Sequence, residues 1–218
     1  MRGLRAAAGF VILSIVPGCE FSFSLTFGDV DDTPPAVSAS LRSDGATDGH
    51  AREDGAVFTG GVVQAGFDPA EPAPRPERRG FLSFPIDSIP VGALVESADL
   101  SLTVDRVDLL PGSADLALDF DRLRYGSALS FSAFSMPGFP VASVASGIRL
   151  FPSGGPQTVT FPVVPDLQAD VDDPSASFFQ VRVIGTGGLA RIVDGAGNRA
   201  PGLPPDPSLA PVLSVRYR

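Results

Sequence analysis

Apolar and polar residues alternate along most of the chain after residue 19. The clearest run spans residues 98–105, in which Ala98, Leu100, Leu102 and Val104 alternate with Asp99, Ser101, Thr103 and Asp105. Successive side chains of a β-strand point to opposite faces, so this period of two predicts a strand with one buried and one solvated face. We expect the polar members, including Thr103 and Asp105, on the solvated face.

Shorter strand-like runs follow one another at residues 21–27, 37–41, 57–58, 62–65, 82–86, 116–121, 129–132, 148–151, 159–163, 179–183, 189–193 and 213–217. Glycine and proline separate them, and the proline-rich residues 68–79 are expected to form an exposed loop. Residues 166–173, with Leu167 and Val171 four apart, predict a helical turn. Many short strands with Gly/Pro turns predict an all-β fold, and we expect a two-sheet β-sandwich with jelly-roll topology.

The first eighteen residues have the features of a signal peptide for export. Arg2 and Arg5 precede an uncharged apolar stretch at residues 6–16, which is about half the ~20 residues that a membrane-spanning helix needs. Residues 16–19, Val-Pro-Gly-Cys, follow directly and resemble a lipobox. The resemblance implies cleavage before Cys19 and attachment of a lipid to its thiol. The alternative is an ordinary cleaved signal peptide in which Cys19 has no role.

These features predict a lipoprotein signal peptide at residues 1–18, a lipidated N-terminal strand or tether at residues 19–35, and a single β-sandwich domain at residues 36–218. The lipid would anchor the exported protein in the bacterial cell envelope, at the outer membrane or the cell surface. Cys19 is the only cysteine, so the hydrophobic core alone must stabilise the domain. A domain of this length buries enough surface for that.

The charge of the chain restricts the classes of partner. Without Arg2 and Arg5, 14 arginines remain against 25 acidic residues, a net charge of −11. Nucleic acids and anionic membrane surfaces need a basic face, so neither is an expected partner. The chain contains no lysine, which excludes Schiff-base chemistry and a P-loop lysine. We expect a monomer attached to the membrane through its lipid.

Four segments carry a resemblance to a known family. They are residues 79–90 (RGFLSFPIDSIP), 95–102 (VESADLSL), 163–171 (VVPDLQADV) and 211–217 (PVLSVRY). Together they resemble the DNRLRE-type β-sandwich domains. The resemblance implies a sandwich in a surface protein, and some such domains bind polysaccharides, including acidic glycans such as alginate. A polysaccharide is therefore an expected ligand.

Two groups of arginines are candidates for binding an acidic glycan, because the guanidinium fork matches a carboxylate. The first comprises Arg122, Arg124 and Arg149, with Tyr125 beside them as an aromatic side chain. The second comprises Arg75, Arg78 and Arg79. The alternative is ordinary charge on loops and strand edges.

Calcium is the one cofactor that the residues suggest. Asp170, Asp172 and Asp173 form one acidic cluster, and Asp29, Asp31 and Asp32 form another. Hard cations bind several carboxylate and carbonyl oxygens of a loop, although neither cluster has EF-hand spacing. Solvated acidic turns are the alternative explanation.

Catalytic motifs are weak in this sequence. His50 is the only histidine, it lies in a segment predicted to be an exposed loop, and no G-x-S-x-G motif accompanies it. Residues 185–190 match G-x-G-x-x-A, but a strand rather than a helix follows, so they predict a hairpin turn and not a dinucleotide site.

Glycoside hydrolysis needs only two carboxylates about 5–9.5 Å apart. The candidate pairs are Asp119 with Asp121 and Asp99 with Asp105. All four alternate with apolar residues as outward-facing strand residues do, which accounts for their positions without a catalytic role. We therefore expect a non-catalytic, lipid-anchored envelope protein that binds polysaccharide. The alternatives are a hydrolase of cell-surface polysaccharide, which requires a deep cleft with converging carboxylates, and a purely structural envelope component.

Overall fold

The computed structural model describes residues 35–140, 147–153 and 155–218. The predicted signal peptide, Cys19, the strand predicted at residues 21–27 and the acidic cluster from Asp29 to Asp32 lie outside the described residues. Residues Pro34–Arg218 form one compact unit.

The described residues contain thirteen strands: β1 (Val37–Arg42), β2 (Gly49–Arg52), β3 (Val57–Thr59), β4 (Val63–Gly66), β5 (Arg78–Pro85), β6 (Val95–Leu109), β7 (Leu116–Leu123), β8 (Phe139–Pro140), β9 (Ile148–Leu150), β10 (Gln157–Pro162), β11 (Phe178–Thr186), β12 (Gly188–Ile192) and β13 (Val212–Tyr217). Two α-helices accompany them, α1 (Ser132–Ser135) and α2 (Val164–Val171), together with a short 3₁₀ helix at Pro207–Leu209. The helical turn predicted at residues 166–173 is confirmed by α2, which begins two residues earlier.

The strands pair antiparallel and join into one sheet that curls over itself in two layers. The 15-residue strand β6 belongs to both layers. Its first half pairs with β13 and β10, and β13 pairs with β1. Its second half pairs with β12, and the second layer continues through β4, β5, β11 and β7. β2 extends from β5, while β8 and β9 pair with β7. The all-β sandwich is confirmed, and the jelly-roll topology stays a prediction.

The hydrophobic core lies between the two layers. Apolar side chains of β6, β10 and β13 meet those of β5, β7 and β11 at the parity that the sequence predicts. Phe161 of β10 and Phe120 of β7 are in contact across the core, with ring centroids 4.6 Å apart. Leu167 and Val171 of α2 enter the same core.

The outer face of the first layer is exposed to solvent. Its side chains are mostly small and polar, and these are exposed: Ser38, Ser40, Ser97, Asp99, Ser214 and Arg216. The register aligns them in rows, since Ser214 pairs with Ser40 on one side and with Asp99 on the other. The alternation predicted for residues 98–105 is therefore confirmed in the first half of β6.

The outer face of the second layer is covered. The segment between β7 and β8, which contains α1, lies against this face, and Ala133 and Phe134 of α1 pack on Ala51, Phe81 and Leu123. These five residues form a second, smaller core. Strands β5 and β11 are thus buried on both faces over most of their length.

Two local predictions need correction. The strand predicted at residues 129–132 is wrong, because these residues form a turn and the first residue of α1. Leu129 faces the smaller core there, which explains the alternation. The turn predicted within residues 185–190 is confirmed, with Gly187 at φ 89°. It does not form a hairpin, since β11 pairs with β5 and β7 whereas β12 pairs with β4 and β6.

Candidate functional site

A cavity of about 600 Å³ opens beside the second half of β6. This volume lies within the usual range of ligand sites. Its polar wall includes Asp105, Arg106, Asp108 and Arg199, and its apolar wall includes Pro156 and Leu203. The loop after β12 supplies Arg199 and Leu203, so two distant parts of the chain meet there.

Arg199 is fixed in this cavity by a buried carboxylate. Its Nε and Nη2 donate to Asp105 Oδ1 at 3.0 and 2.6 Å, and the Ala200 N–H donates to Asp105 Oδ2 at 3.0 Å. The Asp105 side chain is inaccessible to solvent. The prediction that Thr103 and Asp105 face solvent is therefore wrong: both are buried. The loop that carries Arg199 covers Asp105.

Arg106 is fixed in a similar way but remains mostly exposed. Its Nε donates to Asp108 Oδ1 at 2.7 Å, and Asp108 Oδ2 accepts from Arg191 Nε at 3.2 Å. Arg106 Nη1 and Nη2 and Arg199 Nη1 have no hydrogen-bond partner within the described parts of the chain. Two oriented guanidinium groups thus keep donors for an external acceptor, and carboxylates match this geometry best.

The sequence pattern does not predict this pair of arginines. Alternation assigns Asp105 to solvent, and Arg199 lies in a Gly/Pro-rich loop that matches no motif. A detectable feature was the run Asp105-Arg106-Val107-Asp108, which places two acids and a base at one strand end.

The arginines and the acidic cluster predicted as separate sites meet one another. Arg124 donates to Asp170 Oδ1 through Nε (3.0 Å) and Nη2 (2.6 Å), and to Asp173 through Nη1. Hydrogen bonds from Ser175 and Arg124 lower the pKa of Asp173, whereas burial raises the pKa of Asp170. A calcium ion at these two aspartates would have to displace the Arg124 guanidinium. Asp172 instead accepts from Gln168 Nε2 at 2.8 Å.

The remaining predicted ligand residues are dispersed. Arg122 donates to the Asp166 carbonyl at 2.8 Å, and Tyr125 packs edge-on against Phe81 in the smaller core. Arg149 pairs with Asp115. It lies opposite Ala117, five residues along β7 from Arg122, which corresponds to roughly 17 Å.

In the second arginine group, Arg78 pairs with Glu71 at 2.6 Å and Arg79 pairs with Glu77 at 2.8 Å. These ion pairs fix the proline-rich loop that precedes β5. Arg75 belongs to that loop, where its Nε is buried without a partner among the described residues.

The carboxylates considered for hydrolysis are either far apart or bound to other groups of the chain. Asp99 and Asp105 lie six residues apart along β6, which corresponds to roughly 20 Å and exceeds the spacing that glycosidases use. Asp121 forms an ion pair with the buried Arg182. Asp119 accepts from the Gly147 N–H at 2.8 Å.

His50 belongs to β2 and is buried, so the prediction of an exposed loop histidine is wrong. Its imidazole stacks on Phe58, with centroids 4.8 Å apart and an interplanar angle of 16°. Burial, followed by the charge of Arg78, lowers the pKa of His50 to about 4. The ring is therefore neutral at physiological pH.

Comparison with protein-family models and with curated proteins found no match to this chain. Within residues 35–140, 147–153 and 155–218, no helix is long and apolar enough to cross a membrane. The same residues contain no group of three or more His, Cys, Asp or Glu side chains arranged to hold a metal ion.

Proposed function

We propose that the chain is an exported, lipid-anchored protein of the bacterial cell envelope whose β-sandwich binds an acidic polysaccharide without catalysing a reaction on it. The observation that carries the proposal is the pair Arg106 and Arg199 in the cavity beside β6. Both guanidinium groups are oriented by aspartates and keep donors that have no partner among the described residues.

Charge and shape support binding over hydrolysis. Without its predicted signal peptide the chain has a net charge of −11 and repels an acidic glycan at long range, but salt screens such repulsion beyond about 8–10 Å. Direct guanidinium–carboxylate contacts act within that distance. Among the described residues that line the cavity, the carboxylates are Asp105 and Asp108, and each pairs with an arginine, which supports binding rather than hydrolysis.

Binding of an alginate hexasaccharide to the full-length chain, measured by isothermal titration calorimetry, tests the proposal. Arg106→Gln should weaken binding about tenfold, the effect of losing one charge-assisted hydrogen bond. Arg216→Gln is a matched control outside the cavity. The Arg106 and Arg216 side chains are 59% and 60% exposed, and each donates through Nε to a carboxylate. Equal effects of the two variants, or no binding of alginate at all, would contradict the proposal and favour a purely structural envelope component.

The anchor has its own test. Cys19→Ser removes the thiol that would carry the lipid, so the protein should move from the membrane fraction to the soluble fraction. Its melting temperature should stay unchanged, because residue 19 precedes the compact unit Pro34–Arg218. A variant that still sediments with membranes would refute the lipobox interpretation.

A further inference from the structure

Three phenylalanines of the described chain are strongly exposed: Phe58 (47%), Phe131 (41%) and Phe151 (55%). Phe131 stacks on Phe134, with ring centroids 5.8 Å apart, whereas Phe58 stacks on a histidine and lines a cavity that contains polar groups. Its ring lies nearly parallel to the buried imidazole of His50, and it lines a cavity of about 240 Å³ together with Thr59 and Gln64. An exposed aromatic ring with a second ring behind it forms a flat, firmly supported apolar surface.

The polar groups around this ring are uncharged. Gln64 Oε1 accepts from Arg78, while Gln64 Nε2 has no partner in the described part of the chain. Thr59 adds a hydroxyl that both donates and accepts. Arg78, the cation whose charge contributes most to the lowered pKa of His50, is paired with Glu71 and Asp68. The cavity therefore combines one flat apolar face with neutral hydrogen-bonding groups at its edge.

We propose that Phe58, supported by His50, forms a subsite on which one pyranose ring of the polysaccharide stacks, with sugar hydroxyls bonding to Gln64 and Thr59. A pyranose has an apolar face of C–H groups and a rim of hydroxyls, which matches this arrangement of aromatic face and neutral polar groups. The cavity is smaller than a drug-sized site and suits a single ring. The subsite deepens the proposed function and rests on it, but it uses residues separate from Arg106 and Arg199.

The single histidine provides a direct readout. Because His50 is the only histidine, its ring resonances in an NMR spectrum of the full-length chain labelled with ¹⁵N-histidine are assigned without ambiguity. Titration with the neutral methyl β-D-mannopyranoside should shift these resonances in a saturable manner, since the sugar would stack on the ring that contacts the imidazole. Glycerol, which has hydroxyls but no ring face, should leave them unchanged.

Variants of exposed phenylalanines separate stacking from other effects. Phe58→Ala should weaken the affinity for the mannoside, as measured by the His50 shifts, by at least about tenfold. Phe58→Leu keeps apolar bulk for folding but has no flat face, so it should weaken the affinity to a similar degree. Phe131→Ala is the matched control and should titrate like the unaltered protein.

Each outcome of this experiment bears on one proposal. A His50 resonance that does not respond, that responds equally to glycerol, or that responds equally in Phe58→Ala would overturn the subsite. If alginate still binds in that case and Arg106→Gln still weakens it, the proposed function survives. If the mannoside shifts His50 while alginate does not bind, the subsite stands and the acidic specificity at Arg106 fails.

Discussion

The outer faces of the two layers have similar sequence patterns and opposite environments. On β6, Asp99 and Ser101 alternate with core leucines and lie on an open face. On β11, Gln180 and Arg182 alternate with core valines in the same way, yet they are only 1% and 5% exposed. A polar residue at an alternate position of a strand therefore indicates a need for a hydrogen-bond partner, which is either water or another part of the chain.

On the covered face, most of the partners come from the segment between β7 and β8 that contains α1. Gln180 accepts from the Tyr125 and Gly126 N–H groups and donates to the Gly126 carbonyl and to Ser83 Oγ. Arg182 pairs with Asp121 and also donates to the main chain of the α1 segment, at the carbonyls of Ala133, Phe134 and Met136. These side chains attach the covering segment to the sheet.

The largest expected effect tests the core that both layers share. Leu102 is 1% exposed, so Leu102→Asp places an unpaired charge between the layers and should destabilise the domain by more than about 4 kcal/mol. Ser97→Asp lies on the open face of the same strand, opposite Arg216, and should cost less than about 0.5 kcal/mol. Circular dichroism melts measure both. Similar losses of stability in the two variants would mean that the two faces of β6 do not differ in burial.

The sequence predicts the inner faces of β5, β6, β7, β11 and β13 well, because core packing imposes the period of two on these strands of the sandwich. It does not predict the covered face. Ser130 and Ser132 resemble the outward residues of a strand, while Ala133 and Phe134, which pack on Phe81 of β5, follow them in α1. Burial there depends on contacts between residues about 45–60 positions apart, and no local pattern specifies these.

The candidate site could not be predicted from the sequence either, because it too depends on contacts between distant parts of the chain. Asp105 and Asp99 share one alternating run, and only the distant loop around Arg199 distinguishes their environments. The sequence indicates that Arg124, Asp170 and Asp173 are ionisable groups suited to ligands, but their mutual pairing depends on α2 lying next to the end of β7.

The next effect compares a buried arginine with an exposed one. Arg182→Met leaves Asp121 without its partner and removes the donors to the α1 segment, so it should cost about 3–5 kcal/mol. Arg216→Met removes an exposed pair with Glu96 and should cost less than about 1 kcal/mol. Urea unfolding measures both. Hydrogen exchange should also show faster exchange of residues 124–138 in Arg182→Met alone, and equal exchange in the two variants would contradict an anchoring role for Arg182.

The smallest effect concerns a buried carboxyl beside the covered face. Asp48 is inaccessible to solvent and accepts from Ser43 Oγ (2.6 Å), the Ser83 N–H (3.0 Å) and the Gly195 N–H (2.8 Å). No cation pairs with it among the described residues, and the charge of Asp194 adds to the effect of burial. Burial raises the pKa of Asp48 from 3.8 to about 7.

Asp48 should therefore make the domain less stable as pH rises from about 4 to about 7. In this window the unfolded chain has already lost the proton that the folded state retains, and above pH 7 both states are ionised and the effect is constant. One pKa unit corresponds to about 1.4 kcal/mol, so the rise from 3.8 to about 7, which already includes the three hydrogen bonds to the carboxylate, corresponds to at most about 4 kcal/mol. The lowered pKa of His50 produces the opposite slope over part of the same range.

The test is accordingly the difference in unfolding free energy between the unaltered protein and Asp48→Asn in urea unfolding at pH 4.5, 6 and 7.5. The variant should lose the decline in stability that Asp48 causes, whatever its absolute stability at one pH, whereas parallel pH profiles would show that Asp48 is already ionised throughout this range.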